Sequence, residues 1–327
     1  MVKGAIFILT QNTCERKIYL KTSLYFLFKN FNSKYRYPVI ILHEGDYDEK
    51  SKDEIMKSIR EDCRVLINFK TLDVNDFTVP THIDVEKMQR SIELQPVPYW
   101  RNAKYRSMCY FWIKNFQKYM SDYEYIMRLD DDSIIEEPLN ADLMDIAKIR
   151  DINYMSNIIH IDCSICNYKM KDFFSEIFPD KLDKIKEVFV DHKLESNTPY
   201  FQNFKNLYKV LYDKEYEGTD VNLSMPIMYY NNFCIIKTDF WMSSPVQDVI
   251  NKIDKNGNIF YCRWGDAPLQ TIIVTLLDHT KISKVDFKYS KRLQRECFID
   301  DKGNMHSFMP KTYDNNSCIT NNKNKTG

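Results

Sequence analysis

Three consecutive aspartates, Asp130, Asp131 and Asp132, close an apolar run of Tyr125, Ile126 and Met127 that continues through Arg128 and Leu129. A run of this kind reads as a strand buried in a sheet. In an extended chain, residues i and i+2 point the same way, which would put Asp130 and Asp132 on one face. Two carboxylates so placed form a hard-oxygen site suited to Mn2+ or Mg2+. In an open α/β sheet, the carboxyl end of a strand is where ligands bind. A metal there can bridge carboxylates to a diphosphate and neutralise a leaving group. An acidic turn that simply faces water is the competing account of the same triplet.

Chemistry also concentrates in residues 231–268, which hold Asn231-Asn232-Phe233-Cys234-Ile235, Asp239-Phe240-Trp241 and Arg263-Trp264-Gly265-Asp266-Ala267-Pro268. Asp266 precedes an apolar run and therefore sits at the start of a helix. It either caps that helix or turns into a pocket to hold a ligand hydroxyl. Tyr105 and Arg106 open an aromatic-rich helical stretch just ahead of the aspartates, in which Met108, Phe111 and Trp112 are expected in the core.

The elements that must carry these residues follow from the pattern of apolar positions. Residues 4–9 read as a buried strand ending at Thr10-Gln11-Asn12, and residues 16–31 as a helix. A second strand, 38–42, ends at His43-Glu44; a short helix over 53–60 and a third strand over 64–69 follow. This alternation is the doubly wound α/β pattern, with a mixed, mostly parallel sheet between helices. Residues 71–98 read as an irregular excursion, 99–119 as a helix and 154–161 as an edge strand. Residues 169–212 read as a charged helical insertion, and 225–236 as one strand pattern followed by a helix to 253. A single catalytic domain over 1–310 and a disordered tail over 311–327 complete the expectation, since the tail has too little apolar content to offset its ordering entropy.

Composition excludes several classes. Lys plus Arg and Asp plus Glu both number 46, so no electrostatic case exists for a nucleic-acid partner. Only 7 glycines are present and none forms a phosphate-cradling loop, so a phosphate would have to be held by a metal and side chains. The nine cysteines are scattered; Cys163 and Cys166 lack the second pair a zinc site needs, and free thiols in a reducing compartment are expected. No apolar segment reaches the roughly 18 residues of a transmembrane helix, and no signal peptide is visible. A soluble, cytoplasmic protein is the expectation for the chain as given.

The motif blocks together resemble family 15 of the glycosyltransferases, the fungal-type alpha-1,2-mannosyltransferases. The family's Tyr-Arg-x-Met-Cys-x-Phe segment is matched by Tyr105, Arg106, Met108, Cys109 and Phe111. Its Arg-x-Glu-Pro strand end falls on residues 128–131, with Asp130 where the family has a metal-binding Glu. Asn-Phe-Glu-Ile is matched by Asn232, Phe233, Cys234 and Ile235, and Asp-Phe-Trp by Asp239, Phe240 and Trp241. Arg-Trp-Gly-Asp-Ala-Pro is matched in full by residues 263–268. The blocks keep the family's order between about residues 5 and 289. Two departures stand out. Cys234 replaces the Glu proposed as nucleophile of a retaining reaction, and a thiol there makes double displacement a poor fit. Lys291 replaces a metal-binding His; protonated, it cannot ligate a metal but can pair with a diphosphate. The family's Golgi anchor has no counterpart in the chain as given.

The resemblance implies a GT-A fold and transfer of a sugar, mannose from GDP-mannose, to a glycan or glycoprotein hydroxyl with retention, in protein glycosylation. It implies Mn2+ or Mg2+ on Asp130 and Asp132, with His306 as a further candidate ligand. Thr10, Asn12 and Glu44 would line the nucleoside pocket, and Tyr105, Arg106, Arg128, Asp131, Asn232 and Lys291 would meet the donor. Asp266, Cys234 and Arg263 take the catalytic positions. A glycan- or nucleotide-binding protein that kept the fold and lost turnover is the alternative; a phosphotransferase has no supporting motif.

Overall fold

A computed structural model describes residues 2–94, 101–292, 296–299 and 305–308. The expected tail and its boundary at residue 310 lie outside the described residues. The chain gathers into two compact units, neither of them a contiguous stretch. The first takes residues up to 73, 126–146 and those from 286 on; the second takes 74–125 and 147–285.

In the first unit the strands are β1 (Gly4–Leu9), β2 (Val39–His43), β3 (Ile67–Thr71), β4 (Tyr125–Leu129) and β5 (Ser133–Ile135). The sheet order is β4-β1-β2-β3, and β2 runs parallel to both β1 and β3. Register is fixed by pairs such as Ile6 with Val39 and Ile41 with Phe69. Ile6, Phe7 and Ile8 are fully buried, each contributing roughly 1.5–3 kcal/mol. The helix Cys14–Leu27 starts where the Thr13 hydroxyl accepts the Arg16 amide at 3.2 Å, satisfying an otherwise orphaned donor. Asp48 does the same for Glu49–Lys57, accepting from the Ser51 amide at 2.8 Å. A short strand, Tyr289–Lys291, lies antiparallel to β5.

The second unit contains β6 (Tyr154–Ser156), β7 (Ile159–Ile161), β8 (Phe189–Glu195), β9 (Asp220–Tyr229), β10 (Phe233–Lys237) and β11 (Ile282–Lys284). β6 lies between β11 and β10, parallel to the first and antiparallel to the second. Across the two units these ladders are mixed and mostly parallel. A separate antiparallel sheet runs β7-β9-β8. The helix Asp266–Asp278 is buried along almost its whole length, as an apolar helix without a polar face must be.

Several elements differ from the sequence reading. The helix expected over 99–119 is described from Ala103, where Asn102 caps it, and passes through a π-helical turn, Phe111–Asn115. The excursion at 71–98 contains a capped helix, Val85–Glu93. Residues 154–161 form two strands rather than one edge strand, and the 225–236 pattern is two strands divided at Asn231 and Asn232. Within 169–212, β8 interrupts the helices. Cys14 is disulfide-bonded, an exception within the expectation that the cysteines are mostly free thiols; Cys63, Cys109, Cys163, Cys166, Cys234 and Cys262 form no disulfide. Among the described residues no helix is long and apolar enough to cross a membrane.

Candidate functional site

Each unit holds a cluster of the residues singled out by sequence. In the first unit, β4 does not run through the aspartates. It ends at Leu129, and Asp131 and Asp132 form a tight turn in which the Ser133 amide donates to the Asp130 carbonyl at 2.9 Å. The strand alternation expected to align Asp130 with Asp132 is therefore absent. What brings the two carboxylates together is Lys291, whose Nζ lies 3.8 Å from Asp130 Oδ2 and 3.3 Å from Asp132 Oδ1.

Asp131, the middle acid, is completely buried. Thr10 donates its hydroxyl to Asp131 Oδ2 at 2.7 Å, Arg16 Nε donates to the same oxygen at 2.8 Å, and Arg16 Nη2 pairs with Oδ1. A buried carboxylate needs this degree of satisfaction to remain charged. Arg128, itself buried, donates Nε to Asp130 Oδ1 at 3.0 Å. Arg292 donates its amide to the Asp132 carbonyl at 2.9 Å and brings Nε within 3.8 Å of Asp132 Oδ2. Asp132 Oδ1 is buried and accepts no well-aimed hydrogen bond, although the Lys291 ammonium is near.

Among the described residues no three His, Cys, Asp or Glu side chains are grouped to hold a metal. Two carboxylates with an under-satisfied buried oxygen nonetheless suit a hard cation that takes its remaining ligands from phosphate and water, the usual arrangement for Mg2+. The residues fit such a metal only as part of a set completed by the ligand.

Asn12 ties the loop after β1 to the loop after β2. Its amide donates to Asp46 Oδ2 at 2.6 Å and its Nδ2 to Ser51 Oγ at 3.0 Å. Glu44, in that second loop, is exposed. His306 falls on a short strand paired antiparallel with Glu296–Ile299, opposite Phe298; its side chain lies outside what is described.

In the second unit, Gly265 is the N-cap of the helix Asp266–Asp278 and no side chain caps it. Asp266 is the first helical residue, where a negative charge is favoured, and its carboxylate turns inward. Asn231 donates Nδ2 to Asp266 Oδ2 at 2.8 Å and to Gln270 Oε1 at 3.0 Å. Gln270 also accepts from the Tyr154 hydroxyl at 3.2 Å and donates to the Trp112 carbonyl at 2.9 Å. Burial pushes the adjacent Cys109 thiol well up, and the Asp266 charge adds to that.

Arg263 takes a left-handed backbone, φ 74°, a strained choice for a non-glycine residue. Its guanidinium stands 5.7 Å from the Tyr105 ring centre and 3.6 Å from Asp162 Oδ1. Burial opposes its charge, but Cys166, Tyr105 and Asp162 outweigh that and raise its pKa. Asn167 donates Nδ2 to Asp162 Oδ2 at 3.0 Å. A side chain at Gly265 would come within 3.6 Å of that same carboxylate oxygen, and within 3.2 Å of Pro268. Arg106 is fully enclosed, its Nη1 donating to Ser91 Oγ at 2.9 Å and to the Phe260 carbonyl; burial lowers its pKa to about 10. Cys234 is buried in the middle of β10 opposite Ser156, and Asn232 is buried in the turn before it. A cavity of about 650 Å3 lies at the other end of the Asp266–Asp278 helix, beside Leu276 and His279.

Sequence reasoning did not single out Arg16, Asp162 or Gln270, and named Asn231 only within a motif block. Arg16 is 115 residues from Asp131, with nothing local to mark the pairing. Gln270 follows Asp266 by one helical turn, which was the available signal.

The sequence profile of a family described as glycolipid 2-alpha-mannosyltransferase matches residues 2–326. The O-glycoside alpha-1,2-mannosyltransferase omh1 of Schizosaccharomyces pombe is 26% identical over 255 residues, covering 76% of this chain and 59% of that protein. The chain spans between half and three-fifths of the length of the curated relatives it matches. Among solved structures, the mannosyltransferase Ktr4p from Saccharomyces cerevisiae in complex with GDP aligns with a TM-score of 0.69 at 20% identity, over 88% of this chain and 71% of that one. Core-mannan synthase A from Aspergillus fumigatus, in its Mn/GDP form, aligns with a TM-score of 0.67 at 19% identity, over 89% and 74%. The fold is that of the GT-A glycosyltransferases.

Proposed function

The chain belongs to the glycolipid 2-alpha-mannosyltransferase family, and from that premise we propose that it transfers mannose from GDP-mannose to a hydroxyl of a glycan or glycoprotein, with retention and with a divalent cation. The observation that carries this reading is the aspartate turn after β4, with Asp130 and Asp132 drawn together on Lys291. These two carboxylates would hold Mn2+ or Mg2+. The bound cation would neutralise charge on the departing diphosphate.

This chain's own residues supply the rest. Thr10 and Arg16, through Asp131, hold the turn in one conformation. Arg292, largely exposed beside Asp132, and Lys291 present positive charge to the diphosphate. In the second unit, Asp266, oriented by Asn231 and Gln270, would accept a hydrogen bond from a ligand hydroxyl. Cys234, buried in mid-strand, is not used as a nucleophile. The acceptor oxygen instead bonds to the anomeric carbon on the face from which the phosphate oxygen leaves, and the leaving phosphate takes the hydroxyl proton. The Mn/GDP form of the Aspergillus protein supports the choice of nucleotide and metal.

Release of GDP and UDP from a panel of nucleotide sugars, in Mn2+ and in EDTA, tests the proposal. GDP-mannose is expected to be the preferred donor, with release lost in EDTA. Lys291, standing where the family has a metal-binding His, favours a second reading, a binding protein without turnover. GDP binding without release from any donor would establish that reading instead.

A further inference from the structure

Lys291 occupies the space a cation would take between Asp130 and Asp132, and it is not there by chance of a long side chain. Its backbone is set opposite Ser133 by the antiparallel pairing of Tyr289–Lys291 with β5. The next residue, Arg292, donates its amide to the Asp132 carbonyl at 2.9 Å. The Tyr289 and Ser133 hydroxyls, 2.6 Å apart, fasten the other end of the pairing. The ammonium is thus carried to 3.3 Å from Asp132 Oδ1, the buried oxygen that accepts no well-aimed hydrogen bond.

The charges decide what this arrangement admits. Each carboxylate of the turn is already met by at least one cation: Arg16 pairs with Asp131 and Asp132, Arg128 with Asp130, Lys291 with Asp130 and Asp132, and Arg292 with Asp132. A divalent cation arriving alone must push the Lys291 ammonium away from Asp130 and Asp132. A diphosphate reverses the balance: its oxygens take up Lys291 and Arg292, free the two carboxylates, and supply the ligands the cation lacks. The Lys291 side chain is 24% exposed, so a shift towards an incoming anion needs no unfolding of the turn.

We propose that Lys291 acts as an internal cation that bars divalent metal from the aspartate turn until a nucleoside diphosphate draws it away, so that metal and nucleotide bind as a coupled pair. The inference rests on the donor and metal reading above and concerns the order and coupling of binding. Coupling of this kind is reciprocal: the factor by which nucleotide tightens metal binding is the factor by which metal tightens nucleotide binding.

Mn2+ titration followed by electron paramagnetic resonance, with GDP binding measured in parallel by calorimetry, tests it on the intact chain. Wild-type protein is expected to bind Mn2+ at least about tenfold more tightly with saturating GDP than without it, after correction for Mn2+ bound to GDP in solution. Lys291→Met and Lys291→Gln should raise the affinity for Mn2+ alone at least about tenfold and shrink the coupling. Lys291→Arg, which keeps the charge, should preserve the wild-type pattern, with thermal melts confirming that all four proteins are folded. If the two neutral variants bind Mn2+ alone no better than wild type while GDP still loads the metal, the inference is wrong and the donor reading survives. If no variant binds Mn2+ even with GDP, the metal part of the donor reading falls with it.

Discussion

The two acidic sites of this chain are satisfied in opposite ways. The turn after β4 balances its three carboxylates with cations drawn from three separate places in the sequence, Arg16, Arg128 and the pair Lys291 and Arg292, and Arg292 is largely exposed. Asp266 is held instead by a buried amide network: Asn231 donates to it and to Gln270, which meets the Tyr154 hydroxyl and the Trp112 carbonyl. Ion pairs with mobile, partly solvated partners exchange easily and respond to salt. A buried amide network does neither, because each broken bond strands a polar group away from water. The first site is therefore suited to swapping its partners for a ligand, and the second to holding one carboxylate in one orientation.

The largest expected effect falls on the rigid site. Asp266→Asn, which keeps shape and burial, should lower the initial transfer rate at least about a thousandfold, a barrier increase of about 4 kcal/mol. Its thermal melt should stay within a few degrees of wild type. A folded variant with more than a tenth of normal activity would make Asp266 structural and erase the functional side of the contrast.

The exchangeable site contains one acid that should behave like the rigid one. Asp131 is enclosed and held by Thr10 and Arg16. Asp131→Ala leaves Arg16 without its main partner, and because Arg16 is one-third exposed, water recovers part of the loss. Urea unfolding should show a cost of roughly 1–3 kcal/mol, below the 3–5 kcal/mol of a fully buried pair. A change under 0.5 kcal/mol would place Asp131 with its exchangeable neighbours.

The smallest effect is expected at Cys234. Buried thiols of this kind behave as small apolar groups, so Cys234→Ala should keep the transfer rate within about tenfold, a barrier change of about 1.4 kcal/mol. A folded but inactive variant, or a glycosyl adduct on this cysteine in the mass spectrum, would put a nucleophile in the second unit and overturn the front-face route.

What could be read from sequence follows from how local each signal is. β1, β2 and the approach to Asp130 were legible because buried parallel strands are nearly continuous apolar runs. The geometry of the aspartates was not. A turn at Asp131 and Asp132 depends on the return of Tyr289–Lys291 beside β5, which no window around residue 130 contains. β8 was hidden by its charged middle: only Phe189 and Leu194 are buried, and Asp191, His192 and Lys193 dilute the apolar signal. Asp266 was found as a helix start but left between cap and ligand. That its carboxylate turns inward to Asn231 and does not cap the helix depends on a loop 35 residues earlier.

The first unit is closed by a segment that the ribosome delivers late. β1 to β3 are complete by residue 71, and the aspartates have been made by residue 132, yet the strand that carries Lys291 follows more than 150 residues later. Through that interval a nascent chain holds the acidic turn with Arg16, Arg128 and Thr10 but without Lys291, while the intervening residues build most of the other unit. Contacts so distant in sequence are slow to form, and chains of this size gather partly folded species on the way. The ammonium that faces the carboxylates in the finished protein thus reaches its place well after they are made, and the aspartate turn matures only when translation has passed residue 291.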